Sequence, residues 1–257
     1  MLKFKTINII FLVVFFVLLV LDRVFTISFG AYIVVIVLYL TIMTYGTFVL
    51  SAQFFISVKF KGDISSGAIA ITFDDGPVPG KTEKILEILK SFKVSAAFFC
   101  IGHRIADNPT LAKKIHDAGH LLGNHSYWHK NTFDLQKTEK IEQELIATNK
   151  AIQEAIGLKP NFFRPPYGVT NPMVANAILR VGFKTIGWSI RSFDTVSKNR
   201  DALLKRVTKS IKAGDVVLFH DYCPITLDIL PEFLDYVFAR GLKIVRVDEL
   251  LNEKAYA

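Results

Sequence analysis

Apolar residues are distributed along this chain in two different ways. From Ile7 to Leu21 it reads INIIFLVVFFVLLVL, with Asn8 alone polar, and Asp22-Arg23 follows. A second apolar run extends from Phe29 to about Phe55, broken only by small or hydroxylated residues and Gln53. Neither run has a polar face, which argues against a core helix of a soluble protein. The second is long enough to cross a bilayer, which takes about 20 residues. The first is shorter and, behind Lys3 and Lys5, resembles a signal-peptide core. No small-x-small cleavage site follows it, so it is expected to stay. Two spans joined by a tight Asp22-Arg23 turn make a transmembrane helical hairpin with both ends on one side. Residues 1–58 are thus read as a membrane anchor and 59–66 as a linker.

Beyond the linker, residues 67–257 alternate strand and helix. Short runs rich in β-branched and aromatic residues predict buried strands at Ala68–Phe73, Val94–Cys100, His120–Asn124, Asn161–Arg164, Lys184–Ser189, Val216–His220 and Lys243–Val247. Between them, Ile85, Ile88, Leu89 and Phe92 recur at helical spacing. Thr138–Ile156 predicts a long helix stopped by Gly157 and Pro160; Arg200–Lys212 and Leu227–Arg240 repeat the theme. Such alternation predicts an α/β fold with a parallel sheet of about seven strands covered by helices. A (β/α) barrel and an open doubly wound sheet both satisfy it. No glycine-rich phosphate loop follows the first strand, which disfavours the nucleotide-binding sheet.

Composition refines this picture only slightly. The 257 residues are 51% hydrophobic and 21% charged, which excludes a disordered chain. Two cysteines, Cys100 and Cys223, exclude a disulfide framework and a thiolate zinc module, and no disulfide between them is expected. The net charge of +8 suits an anionic wall or lipid surface as well as it suits an ordinary solvated exterior.

Polar chemistry gathers where predicted strands end, the rim on which parallel barrels build active sites. Strand ends deliver Asp74-Asp75-Gly76-Pro77, His125 and His129, Arg164-Pro165-Pro166-Tyr167, Asp194, and His220-Asp221. His125 and His129, four apart, share a face if the segment is helical. Asp75 adds a carboxylate. Two imidazoles and one carboxylate, with coordination positions left open, describe a catalytic divalent-metal site that suits zinc, cobalt, iron or nickel alike. Asp74 and Asp75 are expected to point to opposite sides of an extended strand, one as ligand and the other as base toward water. Arg164 is expected to pair with Asp74. His220, titrating near neutrality, suits a general acid that Asp194 could orient.

The TFDDGP, HSYWH, RPPYG and LFH blocks, in this order, resemble those of carbohydrate esterase family 4, the NodB-homology polysaccharide deacetylases, over roughly residues 66–250. The resemblance implies a distorted, incomplete (β/α) barrel. It implies one divalent ion, zinc first, held by Asp75, His125 and His129, with Asp74 as base and Arg164 as its partner. The Tyr167 backbone N–H would stabilise an oxyanion, His220 would be the acid and Asp194 its partner. Leu218, Tyr167 and Pro166 would contact substrate, with Leu218 lining the acetyl pocket. Many members carry an aspartate three residues before the equivalent of Asp194 and a tryptophan just after it; this chain has Arg191 and Thr195. The implied reaction removes N-acetyl groups from N-acetylglucosamine-containing polysaccharide, a peptidoglycan or chitin-like oligosaccharide, releasing acetate.

Three alternatives remain at the level of sequence. They are a deacylase of a non-polysaccharide substrate on the same fold, a catalytically decayed membrane-tethered glycan-binding domain, and a membrane protein with a purely structural domain. Partners are the glycan and, through the hairpin, the membrane; nucleic acid is not expected and no protein partner is implied. Lys3, Lys5, Lys59 and Lys61 flank the hairpin and argue for both ends inside. A wall glycan instead requires the catalytic domain on the wall side.

Overall fold

A computed structural model describes residues 3–257, so the first two residues of the expected membrane anchor lie outside the described residues. The chain opens with helices α1 (Phe4–Phe25) and α2 (Phe29–Phe48). At 22 and 20 residues both are long and apolar enough to cross a membrane. α1 therefore exceeds the 7–21 run and rises about 33 Å at 1.5 Å per residue. Asp22 and Arg23 are not the turn. They form the last turn of α1, and Asp22 Oδ1 accepts the Ile27 N–H (2.6 Å) as the chain reverses through Thr26. Asn8, the one polar residue of the 7–21 run, accepts from Tyr39 Oη across the hairpin (2.7 Å). α2 stops at Phe48, short of Phe55, because Leu50 and Phe54 leave the helix to be buried.

The remainder carries nine strands, all paired in parallel. They are β1 (Val58–Lys59), β2 (Ala68–Asp74), β3 (Ala97–Cys100), β4 (Leu121–Asn124), β5 (Phe162–Phe163), β6 (Lys184–Ile186), β7 (Ile190–Arg191), β8 (Val216–His220) and β9 (Lys243–Ile244). Their order is β1-β6-β5-β4-β3-β2-β8-β7, with β9 also on β2. The result is the incomplete barrel, with β1 and β7 beyond the seven expected strands. Gly187-Trp188-Ser189 spans the opening: the Gly187 N–H donates to Lys59 O (2.8 Å) and the Ser189 N–H to Val216 O (3.0 Å). That crossing is why the strand predicted over 184–189 ends at Ile186. Val94–Ala96 also leaves the ladder, since the Ala96 N–H donates to His120 Nδ1.

Helices α3 (Thr82–Ser91), α4 (Gly102–Asp107), α5 (Pro109–Asp117), α6 (Thr138–Ile156), α7 (Pro172–Val181), α8 (Arg200–Thr208), α9 (Pro224–Ala239) and α10 (Val247–Leu251) pack around the strands. α6 keeps its predicted bounds, closed by Gly157 in the left-handed region. Strand period 2 sorts residues between two cores. Ile69, Ile71 and Phe73, with Val217 and Phe219, face outward against the helices. Ala68, Ala70, Val216, Phe99 and Phe162 fill the interior, which α10 plugs with Val247, Leu250 and Leu251. The same alternation sends Thr72, Asp74, Leu218 and His220 inward at the carboxyl ends of β2 and β8. Apolar side chains thus fill one end of the barrel and ionisable ones the other.

The hairpin is fastened to this domain by the Thr170 N–H, which donates to Thr47 O, and to its own trailing segment by the Phe4 N–H, which donates to Phe54 O, both at 3.1 Å. A Cβ on Gly46 would lie 2.3 Å from the Phe54 ring. Gly46→Leu is therefore expected to expel Phe54. Limited proteolysis of the detergent-solubilised chain should then cut between Val49 and Phe55 faster than in the wild type.

Candidate active site

The inward-facing ends of β2, β4, β5, β7 and β8 and the loops after them enclose a cavity of about 230 Å³. Asp74, Asp75, His125, His129, Tyr167, Leu218 and His220 all line it. Asp74 ends β2 and faces inward. Asp75 has φ +76°, a left-handed conformation that turns its carboxylate back toward the same point. His125 Nε2 lies 3.8 Å from Asp74 Oδ2 and 3.4 Å from Asp75 Oδ1. The two acids converge rather than diverge, because the strand ends between them.

His125 and His129 also meet by a route other than the expected one. Residues 125–129 form a loop, with Ser126 at φ +62° and His129 at φ +51°, and the two ring centroids are 4.8 Å apart. Glu144 of α6 holds this loop: its Oε2 accepts the Tyr127 N–H (3.3 Å) and the Trp128 N–H (3.1 Å). Ser126 Oγ accepts the His129 N–H, and Asn124 Oδ1 accepts the Ser126 N–H. Glu144 was not foreseen among the site residues. Its signal is an acid on the apolar stripe Ile141, Leu145, Thr148, Ile152 of an amphipathic helix.

Asp75, His125 and His129 fit a divalent cation. One donor atom from each lies within 4.8 Å of the others. Asp75 Oδ1 is buried without a hydrogen-bond partner, 3.4 and 3.3 Å from the Nε2 atoms of His125 and His129. His125 Nδ1 sits 2.7 Å from Arg164 O; a proton placed there leaves Nε2 as the free donor, the tautomer a ligand needs. Burial, reinforced by His125, pushes His129 down to about 4, so its ring is neutral near pH 7. Burial alone would raise the Asp75 carboxyl, but the surrounding His125, His129 and His220 rings outweigh it and hold the carboxyl well below the usual range.

Arg164 follows β5 and is wholly buried. Its Nη1 donates to Asp74 Oδ1 (2.7 Å) and Thr72 Oγ1 (2.8 Å), Nε to Ile186 O (3.1 Å) and Nη2 to Gly187 O (2.9 Å). Tyr167 has φ +60°, and its ring packs on His129 with centroids 4.7 Å apart. Pro166 is buried and not part of the cavity wall, which this loop supplies through Tyr167 and Gly168.

On the opposite side, His220 Nδ1 lies 2.7 Å from Asp194 Oδ1, and Asp194 Oδ2 accepts the His220 N–H (2.7 Å) and the Thr226 hydroxyl (2.6 Å). Burial opposes charge on His220, yet the Asp194 hydrogen bond and charge outweigh it and raise the imidazole above its ordinary value. The pair forms although Arg191 and Thr195 replace the aspartate and tryptophan. Trp188, Arg191, Thr195 and Tyr222 complete the lining. Cys100 and Cys223 are both free and buried.

Residues 61–186 match the polysaccharide deacetylase family. The chain is 35% identical over 194 residues to a peptidoglycan-N-acetylglucosamine deacetylase of Bacillus cereus, covering 72% of this chain and 89% of that protein. It is 36% identical over 186 residues to a peptidoglycan-N-acetylglucosamine deacetylase of Listeria monocytogenes, covering 72% of this chain but only 39% of that longer protein. Among solved structures it is similar to a peptidoglycan N-acetylglucosamine deacetylase, with TM-score 0.73, 26% identity, and coverage of 78% of this chain and 95% of that one. It is also similar to a carbohydrate esterase family 4 pseudoenzyme from Bacillus anthracis, with TM-score 0.71, 31% identity, and coverage of 77% and 70% respectively.

The Glu144 contacts lead to a test of how the histidine loop is held. Glu144→Ala is expected to lower affinity for Zn²⁺ about 10–100-fold, the usual effect of losing a residue that orients a ligand. Competition with a chelating dye would measure it.

Proposed function

Because the chain belongs to the polysaccharide deacetylase family, we propose that it is a metal-dependent hydrolase that removes N-acetyl groups from N-acetylglucosamine-containing wall glycan. The observation that carries this reading is the buried, unpartnered Asp75 Oδ1 between two imidazole Nε2 atoms, in one cavity with Asp74 and His220. Asp75, His125 and His129 would hold the ion. When bound, it supplies Lewis acidity that polarises a carbonyl oxygen and makes water more acidic near neutral pH.

The chain's own groups do the rest. Asp74 has one oxygen committed to Arg164 and presents the other, Oδ2, to the cavity beside His125. That oxygen takes a proton from water as the water oxygen bonds to the acetyl carbon. The Tyr167 N–H donates to the developing oxyanion, a type of contact worth about 3 kcal/mol. Leu218 packs against the acetyl methyl. His220, held by Asp194, gives its proton to the amine nitrogen as the C–N bond breaks, leaving acetate and a glucosamine unit. An amine leaves poorly without that proton.

We also read α1 and α2 as a membrane hairpin with the catalytic domain on the wall side. Three of the four flanking lysines have partners that account for them without reference to orientation: Lys3 on Gln53 O, Lys59 on Glu253 and Lys61 on Asp215. A reporter fused after Ala257 tests the side. A second reading, a catalytically silent glycan-binding domain, draws on the similarity to a pseudoenzyme. It predicts no acetate release from zinc-loaded protein.

Three outcomes test the catalytic reading. Chelation should abolish acetate release from N-acetylglucosamine oligomers by the full chain in detergent, and added Zn²⁺ should restore it; full activity of stripped protein would refute metal dependence. Asp74→Asn should keep zinc affinity while losing about 10²–10⁴-fold in kcat, the range for a general base. Asp194→Asn removes what raises His220, so the alkaline limb of kcat/KM should move to lower pH; an unmoved limb would remove His220 from the acid role.

A further inference from the structure

The catalytic account leaves one charged group in the cavity without a task. Arg191 lies on β7, paired in register with Leu218 of β8, so both side chains face the same interior. It lines the cavity beside Asp74, His220 and Trp188. Unlike Arg164, its guanidinium makes no ion pair and donates no hydrogen bond among the described residues. Aromatic rings hold it instead: its Cζ is 5.4 Å from the Trp188 ring centroid and 4.9 Å from that of Phe193.

That holding is built. Phe193 has φ +62°, a costly conformation for a bulky residue that persists only where the surroundings enforce it. Arg206 stacks on the same ring at 4.3 Å, and its Nε donates to Arg191 O (3.0 Å). Arg191 also borders an adjoining groove of about 470 Å³ with Lys205, Arg206 and Lys209. A half-buried guanidinium has lost part of its hydration, and five donors with no acceptor seek an anion. Burial, with Arg206 beside it, works against its charge and outweighs Asp74 and Asp194, which favour that charge but do not bond to it. Many members of the family carry an aspartate at this position, so the local charge here is reversed.

We propose that Arg191 is a specificity-determining residue that binds an anionic substituent, a carboxylate or phosphate, on the N-acylated saccharide beside the acetyl pocket. This rests on the deacetylase reading and narrows it to acidic glycans. A planar guanidinium can take either anion in a bidentate manner, and the Lys205–Lys209 groove draws such a substrate toward the mouth. The carboxylate source is the lactyl ether of a muramic-type sugar; the phosphate source is a phosphorylated N-acetylhexosamine.

The experiment compares acetate release by the zinc-loaded full chain in detergent from three probes: neutral N-acetylglucosamine oligomers, oligomers containing N-acetylmuramic acid, and a phosphorylated N-acetylglucosamine oligomer. Wild type should prefer at least one acidic probe in kcat/KM, and the probe preferred identifies the anion. Arg191→Gln should reduce the acidic-to-neutral ratio at least tenfold, mainly through KM. Arg191→Lys should restore part of it, and rising salt should erode the wild-type preference. No wild-type preference, or a ratio unchanged in Arg191→Gln, overturns the proposal. Should wild type release acetate from no probe, the deacetylase reading fails by itself. Calorimetric binding of the same probes then decides this one: tighter binding of an acidic probe that Arg191→Gln abolishes supports it, and equal or absent binding overturns it.

Discussion

The structure is organised around a buried cation. The guanidinium of Arg164 is cut off from water, and burying an unpaired charge costs several kcal/mol even after relaxation. The fold meets this cost with four acceptors from three places: Asp74 and Thr72 on β2, Ile186 ending β6, and Gly187 in the segment that crosses the open side of the barrel. The Phe99 ring lies 4.1 Å from its Cζ. One side chain therefore aims the carboxylate proposed as base, and its backbone carbonyl faces His125. It also bonds the strand end and the crossing segment that together form the wall. Loss of the charge would leave Asp74 buried without its partner and Gly187 without its anchor.

Local strain collects around the same rim. Asp75, Ser126, His129, Tyr167 and Phe193 all adopt positive φ, though none is glycine. Each such residue costs of the order of 1–3 kcal/mol and is kept only where neighbours fix it. Here the neighbours are identifiable. Arg104 Nη1 donates to Asp75 O (2.6 Å), Ser126 Oγ holds the His129 N–H, and Tyr167 Oη reaches Asn131 Oδ1 (2.8 Å). Gly168 is left without room for a side chain, since a Cβ there would lie 2.6 Å from Trp188. Rigid strands and helices thus force short loops into shapes that point donor atoms at one spot.

Much of this was legible in the sequence because two signals are local. Strand alternation and the TFDDGP, HSYWH, RPPYG and LFH blocks name the strands and the residues at their ends. α6 was read to its termini because Gly157 and the apolar stripe are both explicit. What failed was backbone direction. A helical face for His125 and His129, and opposed side chains for Asp74 and Asp75, assume regular φ and ψ, and both pairs sit where the chain departs from them. Strands β1 and β7, two residues each, are too short to carry a period. Glu144 and Trp188 reach the site through tertiary packing, which no window of sequence contains. Arg191 was visible only as a departure from a pattern; its unpartnered state needed the fold.

The contact between Thr170 and Thr47 ties the loop bearing Tyr167 to the end of α2. If α2 spans the bilayer, this contact fixes the height of the mouth, because the loop cannot rise while the helix stays embedded. The chain would then work as a short-tethered tool, reaching only the glycan layer lying against the lipid and leaving outlying strands untouched. Its choice of target would depend as much on distance from the membrane as on chemistry.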